Sequence, residues 1–126
     1  MRYLGVDFGL RRIGLATSEG ELASPYKVIK IKNLTDGVEK VLVEVENGDV
    51  DKVVVGLPEG ETGKIVNKFI RLLRKAGLDV DSADETLSTV SAMKSMIKLG
   101  IPREKRKSTD AHAAAEILQN YLDNLK

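Results

Sequence analysis

Residues 3–18 read YLGVDFGLRRIGLATS, two apolar runs around a short polar turn. Tyr3 to Phe8 carries one acid, Asp7, in an otherwise apolar stretch, and Gly9 to Arg12 supplies turn residues before Ile13 to Ser18 reads as a second strand. The pattern predicts a hairpin with a carboxylate near its tip. A Ser-Pro turn then leads into a third strand, Tyr26 to Ile31, so the first third of the chain is expected to be an antiparallel meander. Beyond it the apolar period changes from strand-like to helical. Leu34, Val38, Val41, Leu42 and Val45 mark a helix behind Thr35-Asp36 as a cap and ahead of a stop at Gly48.

Val53-Val54-Val55 has no polar alternation, as expected of a strand covered on both faces, and Gly56-Leu57-Pro58 ends it. A helix is predicted over Thr62 to Lys75, with Ile65, Phe69, Leu72 and Leu73 inward and Lys68, Arg71 and Arg74 outward. Leu78 to Ala83 reads as the last strand. Thr89 to Leu99 and Asp110 to Leu125 read as two closing helices, the second turning Ala114, Ile117, Leu118, Tyr121 and Leu125 inward. The order β-β-β-α-β-α-β-α-α predicts an α/β fold: a mixed five-stranded sheet, the meander extended by parallel strands through helical crossovers and flanked by helices. Ribonuclease H-like domains share this order, although a fold alone licenses no function. At 126 residues the chain is the length of one domain, spanning residues 1–126.

With no Cys and one His, thiolate zinc sites and disulfides are excluded. A metal would be held by carboxylate oxygens, which suits Mg2+ or Mn2+. Asp7 ends the first strand, Asp84-Glu85 ends the last, and Asp110 opens the final helix, so these acids are expected to converge at one edge of the sheet. Clustered carboxylates raise one another's pKa unless a cation neutralises them, and two divalent ions on such a cluster can drive phosphodiester hydrolysis. Taken singly, Asp7 also fits a turn, Asp84 a helix cap, and Asp110 an N-cap or a partner of the helix dipole. His112, two residues from Asp110, is a lesser candidate.

The net charge of +1 creates no global attraction for polyanions, so contact with nucleic acid must be local. Arg103, Lys105, Arg106 and Lys107, offset only by Glu104, form a basic segment just before Asp110, expected to be a loop that grips phosphates. Arg11 and Arg12 in the first turn extend that surface. The N-terminal MRYLGVDFG is not a signal peptide, and no apolar run is long enough to span a bilayer, so no membrane contact and a cytoplasmic location are expected. Two short matches carry nothing. Asp7-Phe8-Gly9 spells a kinase tripeptide in a chain too short for a kinase, and GETGK at 60–64 has Pro58 and Ile65 where a phosphate loop needs Gly and Ser or Thr.

GVDFGLRRIGLA (5–16), VVVGLPEGETG (53–63), ADETLSTVSA (83–92) and TDAHAAAEILQNYL (109–122) together resemble the YqgF-like (RuvX) family of Holliday-junction resolvases and nucleases maturing the 5′ end of pre-16S rRNA. The blocks stand in the family's order and run nearly end to end. The resemblance implies a ribonuclease H-like fold, metal-dependent endonuclease activity, and Asp7, Glu85 and Asp110 as the catalytic metal ligands, with Asp84 only a neighbour. The chain departs from the family at Thr86, where an Arg is usual, and in a shorter loop after Pro58 that carries Glu59 and Glu61. The alternatives are a noncatalytic RNA-binding or ribosome-associated module, toward which Thr86 points, and an actin-like nucleotide-binding domain, which length disfavours. Branched DNA and precursor rRNA both remain as partners, since a basic segment reads backbone and not bases. Oligomeric state stays open: two symmetric cuts in a junction favour a dimer, whereas trimming one RNA end does not.

Overall fold

The structure is a computed structural model that describes residues 1–58, 61–84 and 103–125, with side chains of the last group from Asp110 onward. Its strands are β1 (Tyr3–Phe8), β2 (Arg12–Ser18), β3 (Ala23–Lys30), β4 (Lys52–Leu57) and β5 (Val80–Asp84). Its helices are α1 (Leu34–Asn47), α2 (Glu61–Lys75) and α3 (Arg103–Asn124). The strands form one mixed sheet in the order β3-β2-β1-β4-β5. The meander β1-β2-β3 is antiparallel, and β4 and β5 join it parallel to β1 and to each other. This is the architecture expected from the sequence.

Register assigns the faces. Leu4, Val6 and Phe8 of β1 point into one core with Ile13, Leu15, Val53 and Val55, under α1 and α2. Tyr3 points the other way, toward Ala16, Val54 and the Ala114, Ile117, Leu118 and Leu122 side of α3. The central strands are therefore covered on both faces, which is why Val53 to Val55 lacks alternation.

Several boundaries differ from expectation for identifiable reasons. β3 starts at Ala23 and includes Pro25, because β3 is an edge strand and a bulge absorbs Tyr26: Leu15 pairs with Lys27, but Ala16 pairs with Pro25. The cap of α1 is Asn33, not Thr35-Asp36, and its side chain accepts from the Asp36 amide at 2.8 Å. Asp36 in turn accepts from the Lys32 amide at 2.8 Å, and that hydrogen bond holds its carboxyl below the usual value. In α2 the buried residues are Val66, Phe69, Ile70 and Leu73, while Ile65 is exposed, so the inward stripe is rotated from the one expected. In α3 the inward end is Leu122, and Leu125 is exposed.

The largest correction is at the start of α3. The helix begins at Arg103, so Arg103, Lys105, Arg106 and Lys107 belong to its first turns and do not form a loop, and Asp110 lies seven residues inside it. Helix-forming Arg, Glu and Lys after Pro102 favour this start, and their charge, which also suits a loop, does not decide between the two. The helix expected over Thr89 to Leu99 lies outside the described residues, as does Glu85.

Candidate active site

The site is built where β1 ends and α3 crosses it. In the β1-β2 ladder Gly5 pairs with Ala16 and Asp7 with Gly14, so Gly5, Asp7, Gly14 and Ala16 share the face that α3 covers. Both glycines lie directly against the helix backbone. A Cβ on Gly5 would stand 2.8 Å from Leu118 Cβ and 2.9 Å from the Ala114 carbonyl oxygen. A Cβ on Gly14 would collide with the Asp110 carbonyl, its carbon only 2.5 Å away. Paired residues of an antiparallel ladder have Cα atoms about 4.5–5.5 Å apart, so the contact on Gly14 sets the Asp110 backbone beside Asp7. The backbones of these two acids are therefore neighbours, brought together by helix-on-strand contact at a residue without a side chain.

Asp7 is 5% exposed, and its Oδ1 is enclosed by protein. Arg12, also on the α3 face of β2, places Nε 3.4 Å from Asp110 Oδ2, with the two side chains 18% and 14% exposed. Asp110 thus carries a cation on one side and the buried Asp7 near its backbone on the other. The hairpin turn that sets Arg12 is closed by the Gly9 amide donating to the Arg12 carbonyl at 2.9 Å. Arg11 is exposed at the same tip. His112 is exposed on α3, two residues from Asp110 and on a different side of the helix, so it is not brought to Asp7.

Hard carboxylate oxygens, one of them buried, fit Mg2+ or Mn2+ better than a soft metal. Among the described residues no three His, Cys, Asp or Glu side chains gather. A third carboxylate would have to come from elsewhere. Asp81 and Ala83 of β5 face α3, Asp81 through a 2.5 Å hydrogen bond from Tyr121 and Ala83 through its packing against the α3 core. Glu85 follows Ala83 by two residues and lies outside the described residues.

Two features were missed from sequence. One is the pairing of Arg12 with Asp110, since sequence alone places Arg12 only on a phosphate-facing surface. The role of Gly5 and Gly14 was legible in principle, since they fall on the same alternating face as Asp7. A separate cavity of about 800 Å3 opens at the other end of β1, lined by Arg2, Tyr3, Thr17, Ser18, Tyr26 and Glu44, and holds none of these acids. There Lys27 Nζ lies 2.6 Å from Glu44 Oε2, and that contact raises the Lys27 pKa.

The fold is similar to solved resolvases. Thermus thermophilus RuvC in complex with a Holliday junction substrate superposes with a TM-score of 0.62 at 17% identity, covering 99% of this chain and 95% of that one. The fowlpox virus Holliday junction resolvase gives 0.63 at 13% identity, over 100% of both chains. The sheet order thus defines a ribonuclease H-like fold. Residues 1–124 match the family model described as RuvX: Holliday junction resolvase, and the chain belongs to that family. Relatives named "Putative pre-16S rRNA nuclease" agree over nearly their whole length. One from Endomicrobium trichonymphae is 39% identical, covering 97% of this chain and 95% of its own. Another from Clostridioides difficile is 38% identical, covering 97% and 94%.

Proposed function

We propose that this chain is a single-domain, cytoplasmic, divalent-metal-dependent endonuclease that hydrolyses phosphodiester bonds in structured nucleic acid, either a Holliday junction or the 5′ end of pre-16S rRNA. The observation that carries the reading is the seating of Asp110 on Gly14 beside the buried Asp7, at the end of the central strand. Family membership supports it, as do the relatives' names. Among the described residues no helix is long and apolar enough to cross a membrane.

Asp7, Asp110 and Glu85 would hold Mg2+ or Mn2+. When bound, the metal supplies an activated water and charge stabilisation for the leaving oxygen. The protein's own groups orient the substrate. Arg12 restrains the Asp110 carboxylate through their ion pair and, with Arg11, presents cationic charge at the hairpin tip to a phosphate. Arg103, Lys105, Arg106 and Lys107, in the first turns of α3 ahead of Asp110, would add cationic charge for the phosphate backbone. Burial of Asp7, at 5% exposure, keeps bulk water away from its carboxylate.

The test is cleavage with Mg2+ or Mn2+, offering a four-way DNA junction and a precursor rRNA carrying its 5′ leader, with Asp7→Asn as the control. Metal-dependent cleavage of either substrate, lost in Asp7→Asn, is expected. Binding of either substrate without cleavage at any metal concentration would overturn the nuclease reading in favour of a noncatalytic binding module.

A further inference from the structure

We infer that the outer face of α2 is a second docking surface for a nucleic-acid backbone, on the side of the sheet opposite Asp7 and Asp110. The inference rests on the nuclease reading and specifies where substrate beyond the scissile bond would run. Residues 62–78 contain five cations, Lys64, Lys68, Arg71, Arg74 and Lys75, and no acid. Because the whole chain carries only +1, everything outside this segment is net −4. Neighbouring α1 holds Asp36, Glu39, Glu44 and Glu46 against Lys40 alone, so positive charge on this side of the molecule is concentrated on one helix.

Lys64, Lys68, Arg71 and Lys75 recur at intervals of four, three and four residues and are all exposed, so they form one stripe along α2. At 1.5 Å per residue the stripe is about 16 Å long, close to five phosphate steps of a strand at about 3.4 Å each. Lys68, Arg71 and Lys75 enter no ion pair among the described residues. Lys64, Asn67, Arg71 and Arg74 border a shallow recess of about 470 Å3 on this face. Arg74 is partly committed elsewhere, donating from Nε and Nη2 to the Val80 carbonyl at 3.2 and 2.8 Å.

The other plausible polyanion is a membrane, and the packing of α2 argues against it. Val66, Phe69, Ile70 and Leu73 are at most 3% exposed, so the apolar side that would enter a lipid interface is already used in the core. Position favours a substrate arm. α2 begins four residues after β4 ends, and β4 runs parallel beside β1, so the Lys64 end of the stripe lies toward the sheet edge where Asp7 sits. An arm passing over that edge would meet the stripe lengthwise.

The test is the full-length triple variant Lys68→Gln/Arg71→Gln/Lys75→Gln, with Arg74 kept, titrated with a fluorescent four-way junction and a precursor rRNA hairpin at several salt concentrations. Three lost duplex phosphate contacts should flatten the slope of log affinity against log salt by about 2.7, and Arg71→Gln alone by about 0.9. Low-salt affinity of the triple variant should fall at least tenfold with an unchanged Tm. Wild-type slope and affinity in both variants would overturn the docking surface while leaving the nuclease reading standing. Failure of the wild-type protein to bind either nucleic acid would overturn both. Loss in the variant of binding to phosphatidylserine vesicles, with nucleic-acid binding intact, would overturn it in favour of a membrane.

Discussion

Replacing Gly14 by Ala adds one carbon where the structure has no room for it. The new Cβ would stand 2.5 Å from the Asp110 carbonyl carbon and closer still to its oxygen, where ordinary contact begins at about 3.4 Å. Both partners are backbone, one in the β1-β2 ladder and one in a 22-residue helix, so no side-chain rotation relieves the overlap. α3 must lift by about 1 Å or the ladder must bend; overpacking of this kind costs roughly 1–3 kcal/mol, or a fall in Tm of roughly 5–10 °C for a chain this size. The lift also moves Asp110 away from Asp7. A misplacement of about 1 Å in a reacting constellation costs on the order of a hundredfold in rate. Gly14→Ala should therefore lower both Tm and kcat/KM. Gly5→Ala, at 2.8 and 2.9 Å from Leu118 and Ala114, should lower Tm similarly with a smaller loss of rate, because its contact lies one to two helical turns from Asp110. Thermal unfolding and metal-saturated cleavage of both variants check this. Wild-type Tm and rate in Gly14→Ala would refute the backbone contact and the placement of Asp110 derived from it.

Asp7→Asn should remove several kcal/mol of transition-state stabilisation, roughly a thousandfold in kcat, while Tm stays within a few degrees of wild type. Glu85→Gln should behave alike and Asp84→Asn should retain activity, as cleavage assays of the three will show. Arg12→Gln removes the cation 3.4 Å from Asp110, so the Mg2+ concentration for half-maximal cleavage should fall while KM for nucleic acid rises. Tyr121 donates to Asp81 at 2.5 Å, which with the Lys52 ammonium at 3.3 Å holds the Asp81 carboxyl below its usual value; burial, then this hydrogen bond, raises Tyr121 above its own. The Asp81 contribution is thus present above about pH 4 and lost as pH falls through its lowered pKa, and the Tyr121 contribution is present below about pH 10 and lost as pH rises through its raised one. Tyr121→Phe should cost roughly 0.5 kcal/mol at neutral pH, at the low end because Asp81 is 41% exposed, and Tm measured against pH should show the deficit closing below about pH 4.

Legibility in the sequence followed the physics of each element. The sheet was readable because hydrophobic burial writes its period into the chain: Val53 to Val55 is unbroken where both faces are covered, and Gly48 and Pro58 mark where backbone geometry changes. Errors arose where a local signal has two physical causes. Thr35-Asp36 and Asn33 are all competent caps, and only the hydrogen bonds at 2.8 Å from the Asp36 and Lys32 amides choose between them. Arg103 to Lys107 is as compatible with a solvated loop as with exposed helix turns, since charge reports exposure and not backbone conformation. The site depended on a contact that leaves only an absence in the sequence. Gly14 has no side chain to betray what it touches, yet its bare Cα lets α3 descend until Asp110 lies beside Asp7. A motif supplies the identities of such acids, but how closely their backbones approach is set by a glycine that carries no charge signal of its own, through the exclusion of a single methyl group.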